Sequence, residues 1–204
     1  HIKSPLDFLF DRSTLVENPT ELRGATALVL WGGEDIATSI YNQSPMYRGG
    51  HTKLSPRDAV EVNLANAAIN FGIPVIGICR GAQLMCAKAG GSVIQHVDGH
   101  CQSHPMKTKG GLDLITNSLH HQMMNPSEVD HFELIAWCAK PLSNAYLSNP
   151  EIPKGFLEPE VIWFPSVKAL CIQGHPEFPC ARPAFINYCL DLIREYVLQP
   201  PKVS

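Results

Sequence analysis

The chain has no long hydrophobic run: none of its apolar stretches approaches the roughly 20 residues that a helix needs to cross a bilayer. No membrane partner is therefore expected. Charge of one sign is equally scarce, since 16 lysines and arginines face 19 aspartates and glutamates, leaving a formal net charge of −3 without a basic run. A nucleic-acid surface needs a concentrated positive field, and none is encoded. No leader-like segment opens the sequence, and no internal repeat or low-complexity tract interrupts it. The seven cysteines are odd in number and have no framework spacing. A disulfide scaffold is thus not expected, and free thiols suit a reducing, cytoplasmic setting.

What is present fits one globular unit. With 204 residues, 45% of them apolar, the chain can bury a substantial core, and a single domain over 1–204 is expected. Strand and helix patterns alternate between glycine and proline breaks. Strands are expected near Ala27–Trp31, Ile73–Ile78, Gly111–Thr116, Phe132–Cys138, Val161–Phe164 and Lys168–Gln173. Ser55-Pro56 opens a helix running to Asn70, Ala82–Ala89 reads as a second, and Ala181–Leu198 as a closing amphipathic helix with Pro183 in its first turn and Pro200 beyond its end. This order predicts an α/β three-layer sandwich with a mostly parallel central sheet and a smaller antiparallel part in the second half.

The densest chemical signal is Gly77-Ile78-Cys79-Arg80-Gly81, where a buried strand turns straight into a helix. A reactive side chain between close glycines at such a turn has the form of a nucleophile elbow. The helix N-terminus behind Cys79 favours thiolate over thiol. A second buried strand ends in Gly174-His175-Pro176-Glu177. A cysteine nucleophile needs a base, and the base needs a partner that fixes its tautomer; His175 and Glu177 supply both. Each motif directly follows a predicted parallel strand, where open α/β sheets place their sites.

These two motifs together resemble the class I glutamine amidotransferase family, with its flavodoxin-like fold. The branch most similar is that of stand-alone γ-glutamyl hydrolases of the γ-glutamyl-γ-aminobutyrate hydrolase type. Ala27-Leu-Val-Leu-Trp31-Gly-Gly-Glu-Asp35 resembles the family's first glycine motif, and Asn117-Ser118-Leu119-His120-His121-Gln122 resembles its Asn-Ser-x-His-His-Gln stretch. The resemblance implies that Cys79 attacks the γ-carbonyl of a glutamine-like side chain, with His175 as base and acid and Glu177 orienting it. It implies an oxyanion hole from the backbone N–H groups of Gly33 and Arg80. It also implies substrate contacts from Gln83, Ser118, His120 and His121, without deciding between the two histidines. A γ-glutamyl thioester would form on Cys79 and be resolved by water, releasing glutamate after ammonia or an amine. No cofactor and no metal is expected. The family's usual strand–helix unit ahead of the first glycine motif has little room in the 26 residues before Ala27, so an edge strand is expected to be missing or supplied by a partner. Leu142–Pro165, rich in proline and asparagine, is expected to include a rim loop that selects substrate. By the same resemblance, Glu160-Val161-Ile162 is expected to correspond to the family's acidic strand.

His96, His100, Cys101 and His104 crowd together, but their spacing fits no closed zinc site. Three functions stay open. The first is a stand-alone hydrolase of a small-molecule γ-glutamyl substrate. The second is a glutaminase subunit feeding ammonia to a separate synthetase, and the third a non-catalytic module binding a γ-glutamyl ligand or a protein. A cysteine peptidase on a related elbow is disfavoured by the His-Pro-Glu arrangement. Self-association is left open.

Overall fold

In the computed structural model, which describes residues 4–198, two 3-10 turns at Pro5–Leu9 and Pro19–Leu22 lead into β1 (Leu28–Leu30). α1 (Pro56–Phe71) opens where the sequence places it. Ser55 accepts from the Asp58 N–H, the Asp58 carboxylate accepts from the Ser55 N–H, and Pro56 occupies the first turn. It stops at Gly72, whose φ of 69° is the left-handed cap that glycine adopts freely. β2 (Val75–Ile78) and α2 (Arg80–Lys88) follow, then β3 (Ser92–Ile94), β4 (His96–Val97), β5 (His104–Thr108), β6 (Asp113–Thr116) and β7 (Met123–Asn125). The chain continues through β8 (Glu133–Cys138), β9 (Tyr146–Leu147), β10 (Pro159–Phe164), β11 (Ala169–Ile172) and α3 (Pro183–Ile193). A π-type turn at Arg194–Leu198 prolongs α3 to the expected end, while the stop expected at Pro200 lies outside the described residues.

Seven strands form the main sheet in the order β1-β2-β11-β10-β8-β5-β6. The neighbouring strands β2 and β11 are buried at every position, as strands covered on both faces must be. Their alternation sorts side chains between two layers. Val75, Ala169 and Cys171 face Leu64, Ala65 and Ala68 of α1 and Leu84 and Met85 of α2. Ile76, Ile78, Leu170 and Ile172 face Phe185, Cys189 and Leu192 of α3. This is the expected three-layer α/β arrangement.

The antiparallel share is larger than the sequence pattern suggests. Only β1–β2 and β2–β11 pair in parallel; β11–β10, β10–β8, β8–β5 and β5–β6 are antiparallel. The reason lies in β5, which the sequence reading passes over. His104, Met106 and Thr108 are buried while Pro105 and Lys107 are exposed, a period-2 strand whose inward face includes polar residues. Once β5 is placed, the chain returns through β6 and β8 without a crossover helix, and only antiparallel pairing is available to it. Part of the expected rim region is likewise structural, since Pro159–Phe164 is a central strand.

Candidate active site

The parallel strands β2 and β11 end side by side, and each leads into one half of a candidate couple. Cys79 N–H donates to Ile172 O at 2.7 Å, so the cysteine stands beside the end of β11. The residue is held at φ 49° and ψ −105°, a strained conformation for a side chain with a Cβ. Neighbouring glycines make the strain affordable in space. A Cβ at Gly77 would meet Gly81 O at 2.7 Å and Ala82 Cα at 2.8 Å, and one at Gly81 would overlap the Leu30 carbonyl of β1. The turn therefore packs backbone on backbone beneath Cys79.

His175 follows β11 in the same way. Its Nδ1 lies 2.8 Å from Glu177 Oε1, and its ring stacks on Phe178 at 4.5 Å between centroids. Burial alone would push the imidazole pKa down. Interactions with Cys79 and Glu177 outweigh it and raise His175 to about 9. Gly32 shows how close the couple lies to the glycine loop, because a Cβ there would sit 2.6 Å from His175 Cε1 and 3.5 Å from Cys79 Cβ. A thiol, an imidazole and a carboxylate thus converge, an arrangement capable of acyl-transfer chemistry.

The candidate oxyanion donors flank this point. Gly33 takes φ 156°, and the Arg57 guanidinium occupies the space a side chain at 33 would need. Arg57 Nη2 donates to Trp31 O and Gly32 O, each at 3.0 Å, and so braces the loop. Arg80 is the first residue of α2, so its N–H has no acceptor within the helix. Its side chain turns away from the couple. It is buried against Asp58 Oδ1 at 2.6 Å and Glu61, tying the elbow to α1.

The residues expected to bind substrate divide. Gln83 is buried and donates to Gln122 O at 2.9 Å, fixing the 117–122 segment to α2. The Ser118 hydroxyl donates to His100 O. His120 points inward, with burial driving its pKa well below the ordinary histidine value. His121 points to the open side, where its Nε2 lies 3.1 Å from Asp35 Oδ2 and its ring meets Tyr47 edge-on at 5.6 Å. Tyr47 O–H donates to Asp35 in turn.

Three further residues complete the site. Asn117 Nδ2 donates to His175 O at 2.7 Å and its Oδ1 accepts from His175 N–H at 3.1 Å, a two-point clamp on His175. Gln173 Nε2 reaches Cys79 Sγ at 3.9 Å. Phe178 supports the imidazole face. Asn117 opens the quoted Asn-Ser motif, so its sequence signal was available; Gln173 and Phe178 carry none beyond adjacency to His175.

The chain is similar to known proteins over part of its length. The Peptidase C26 family model matches residues 20–151. A Mycobacterium tuberculosis protein named "Putative glutamine amidotransferase" is 41% identical over 71 residues, which are 35% of this chain and 23% of that protein. NtpR of Enterococcus hirae is 25% identical over 162 residues, 74% of this chain and 66% of that protein. The chain thus spans between about a quarter and two thirds of these curated relatives. Among solved structures, a Thermoplasma acidophilum protein described as a "putative gmp synthase subunit a protein" superposes with a TM-score of 0.53 at 19% identity, over 88% of this chain and 74% of that one. A glutamine amidotransferase of Methylobacillus flagellatus gives 0.50 at 16% identity, over 86% and 60%. The fold is that of the class I glutamine amidotransferases.

Proposed function

The chain belongs to the Peptidase C26 family, a group of cysteine-type amidohydrolases and amidotransferases, and from this premise we propose that it hydrolyses a small-molecule γ-glutamyl amide through a thioester on Cys79. The observation that carries the reading is the strained Cys79 facing a His175–Glu177 pair across two neighbouring parallel strand ends. In this reaction His175 holds the proton given up by the Cys79 thiol while sulfur attacks the amide carbon, then passes it to the departing nitrogen. Glu177 holds the imidazole tautomer, and the N–H groups of Gly33 and Arg80 receive the oxyanion. Water activated by His175 then splits the thioester and releases glutamate. No step calls for a cofactor.

Substrate is held from the opposite side by the Ser118–Gln122 segment. Because the Ser118 hydroxyl and the His120 ring are turned inward, Ser118 acts through its main chain. The open-side group of His121, Asp35 and Tyr47 supplies the charged contacts for an amino-acid head. Gln83 supports this segment through its bond to the Gln122 carbonyl. No helix of the described residues is long and apolar enough to cross a membrane, and the seven cysteines are unpaired; we place the protein in a reducing cytoplasm and read 1–204 as one domain.

Delivery of ammonia to a synthetase partner is the second reading. It is favoured by exposed Trp31, Leu54 and Leu119, apolar side chains on segments flanking the site. One assay separates the two: amine and ammonia release from a panel of γ-glutamyl amines and from glutamine. Release of a substituted amine faster than ammonia is expected. Turnover of glutamine alone, or silence until a partner is added, transfers the assignment to the synthetase subunit.

Thiol reactivity gives a further expected result. Burial pushes Cys86 up to about 12 and Cys171 and Cys189 well above the ordinary thiol value, so these stay protonated. Cys101 and Cys180 are exposed and are the proper competitors. An electrophilic glutamine analogue is expected to label Cys79 ahead of both, read by peptide mass mapping. Equal labelling of Cys79, Cys101 and Cys180 would show that Cys79 is not activated.

A further inference from the structure

Beneath the Ser118–Gln122 segment lies a group of ionisable side chains that the chemistry at Cys79 does not use. His100, His104, His120, Glu158 and Glu160 are all buried. They come from three separate stretches of chain, brought together by β5, β10 and the 117–122 segment.

Their hydrogen bonds form an ordered shell around one spot. Glu158 accepts from Leu142 N–H at 2.8 Å, Ser143 N–H at 2.9 Å and Tyr146 O–H at 2.8 Å. With these donors on both of its oxygens, Glu158 acts as an acceptor, the role of a carboxylate. His100 Nε2, 3.1 Å from Glu158 Oε2, is therefore the donor nitrogen. His100 Nδ1 is left facing Glu160 Oε1 at 3.7 Å, too far for a hydrogen bond. Glu160 Oε1 is already engaged by His104 Nε2 at 2.8 Å, and His104 Nδ1 is fixed by Gln102 O at 3.1 Å. His120 stacks on His100 with 4.9 Å between centroids. The His120 ring lies beside the Gln122 main chain, yet neither nitrogen makes a hydrogen bond of ordinary geometry among the described residues.

The unpartnered atoms are the telling feature. Among the described residues nine buried side-chain nitrogen or oxygen atoms lack a hydrogen-bond partner, and four of them belong to His100, His120 and Glu160. Buried polar atoms are nearly always paired, so a concentration of orphans in one place calls for a missing partner. One ligand atom from each of these three residues lies within 4.8 Å of the other two. We propose that His100, His120 and Glu160 bind one divalent first-row transition ion. Zinc fits this two-histidine, one-carboxylate donor set best, with a fourth position left for water.

The surroundings match what metal ligands need. A ligating histidine almost always gives its other ring N–H to a carboxylate, which Glu158 provides to His100. A ligating carboxylate is in turn hydrogen-bonded, which His104 provides to Glu160. The cluster read from sequence is thereby rearranged. His96 lies on the open side with its Nδ1 3.5 Å from His121 Nδ1, Cys101 is exposed, and His104 braces a ligand. Only His100 remains a donor, and its partners are remote in the chain. An ion here would secure the inner side of the segment whose first residue, Asn117, clamps His175.

The test uses the full chain, stripped with a chelator and titrated with Co2+, then Zn2+. Expected are one ion per chain by elemental analysis and an intense visible Co2+ band that Zn2+ bleaches. His120→Gln is expected to abolish the band. Glu158→Gln, which weakens the brace on His100 together with the bonds from Leu142, Ser143 and Tyr146, is expected to lower affinity roughly 10- to 100-fold. The double variant His96→Gln, His121→Gln removes the open-side histidines and is expected to keep the band. X-ray absorption at the zinc edge of the loaded wild type reads the donor set directly, and should show two imidazoles and one carboxylate even if a variant fails to fold. Absence of a bound ion would overturn the site. So would binding that survives His120→Gln but is lost with His96 and His121.

Discussion

Cys79→Ala is expected to lower turnover of a γ-glutamyl amide by roughly 10^4-fold or more, the usual scale for removing a covalent nucleophile from an otherwise intact site. Folding should be nearly unchanged. Alanine keeps the Cβ, so the strained φ of 49° and the Ile172 O hydrogen bond are common to both proteins. The sulfur's contact with Gln173 Nε2, at 3.9 Å, is a weak one. The substitution also removes an interaction that raises His175, so the imidazole should titrate below its wild-type value of about 9. The sign for stability follows from linkage. A histidine raised from 6.5 to about 9 contributes stability that is complete below 6.5 and lost as pH rises through 9. Between those limits the wild type should lose stability with rising pH more steeply than Cys79→Ala. NMR titration of His175 and thermal melts across that window check both points. Retained turnover would remove Cys79 from the nucleophile's role, and an unmoved His175 titration would show that the couple is not electrostatically linked.

The couple was legible in the sequence because its geometry needs particular residue types at fixed spacing. Gly77 and Gly81 allow backbone to pack on backbone, and two apolar runs ending at Ile78 and Gln173 announce strands buried on both faces. The start of α1 was legible through Ser55 and Pro56, which act locally, while the cap at Gly72 came only with the structure. The antiparallel half was less so. β5 hides its period because His104 and Thr108 face inward and Pro105 outward, so hydrophobicity does not mark the buried face. His120 and His121 could not be distinguished for a related reason. They sit side by side in an irregular segment, where no periodicity says which of the two turns inward. Only the register set by Gln83 on Gln122 O and by Ser118 on His100 O decides that His121 faces solvent. The histidine–glutamate cluster is the extreme case, assembled entirely by tertiary contacts between segments that carry no shared spacing.

The elbow's dependence on Gly81 gives the second large effect. A Cβ at Gly81 would overlap Leu30 O and lie 2.7 Å from Leu30 C. Leu30 is backbone in β1, paired in register with Gly77 of β2, so it cannot swing aside as a side chain would. Gly81→Ala must push α2 off the sheet or break the β1–β2 pairing. A loss of about 3 kcal/mol is expected, at the upper end for overpacking, with a Tm drop of roughly 6–12 °C for a chain of this size. A shift of the elbow by about 1 Å should also cost on the order of 10^2-fold in turnover. Gly32→Ala separates the two consequences. There the new methyl meets the His175 ring edge at 2.6 Å rather than backbone, and that ring is held by Glu177 and Phe178. Turnover should fall while Tm stays close to wild type. Gly110→Ala is the control, since its Cβ would meet nothing nearer than Thr108 Oγ1 at 3.9 Å, and both readouts should be unchanged. If Gly81→Ala instead melts and turns over like Gly110→Ala, the close packing of α2 on β1 does not set the position of Cys79. The strain at that residue must then be maintained from the β11 side alone, through the Ile172 carbonyl.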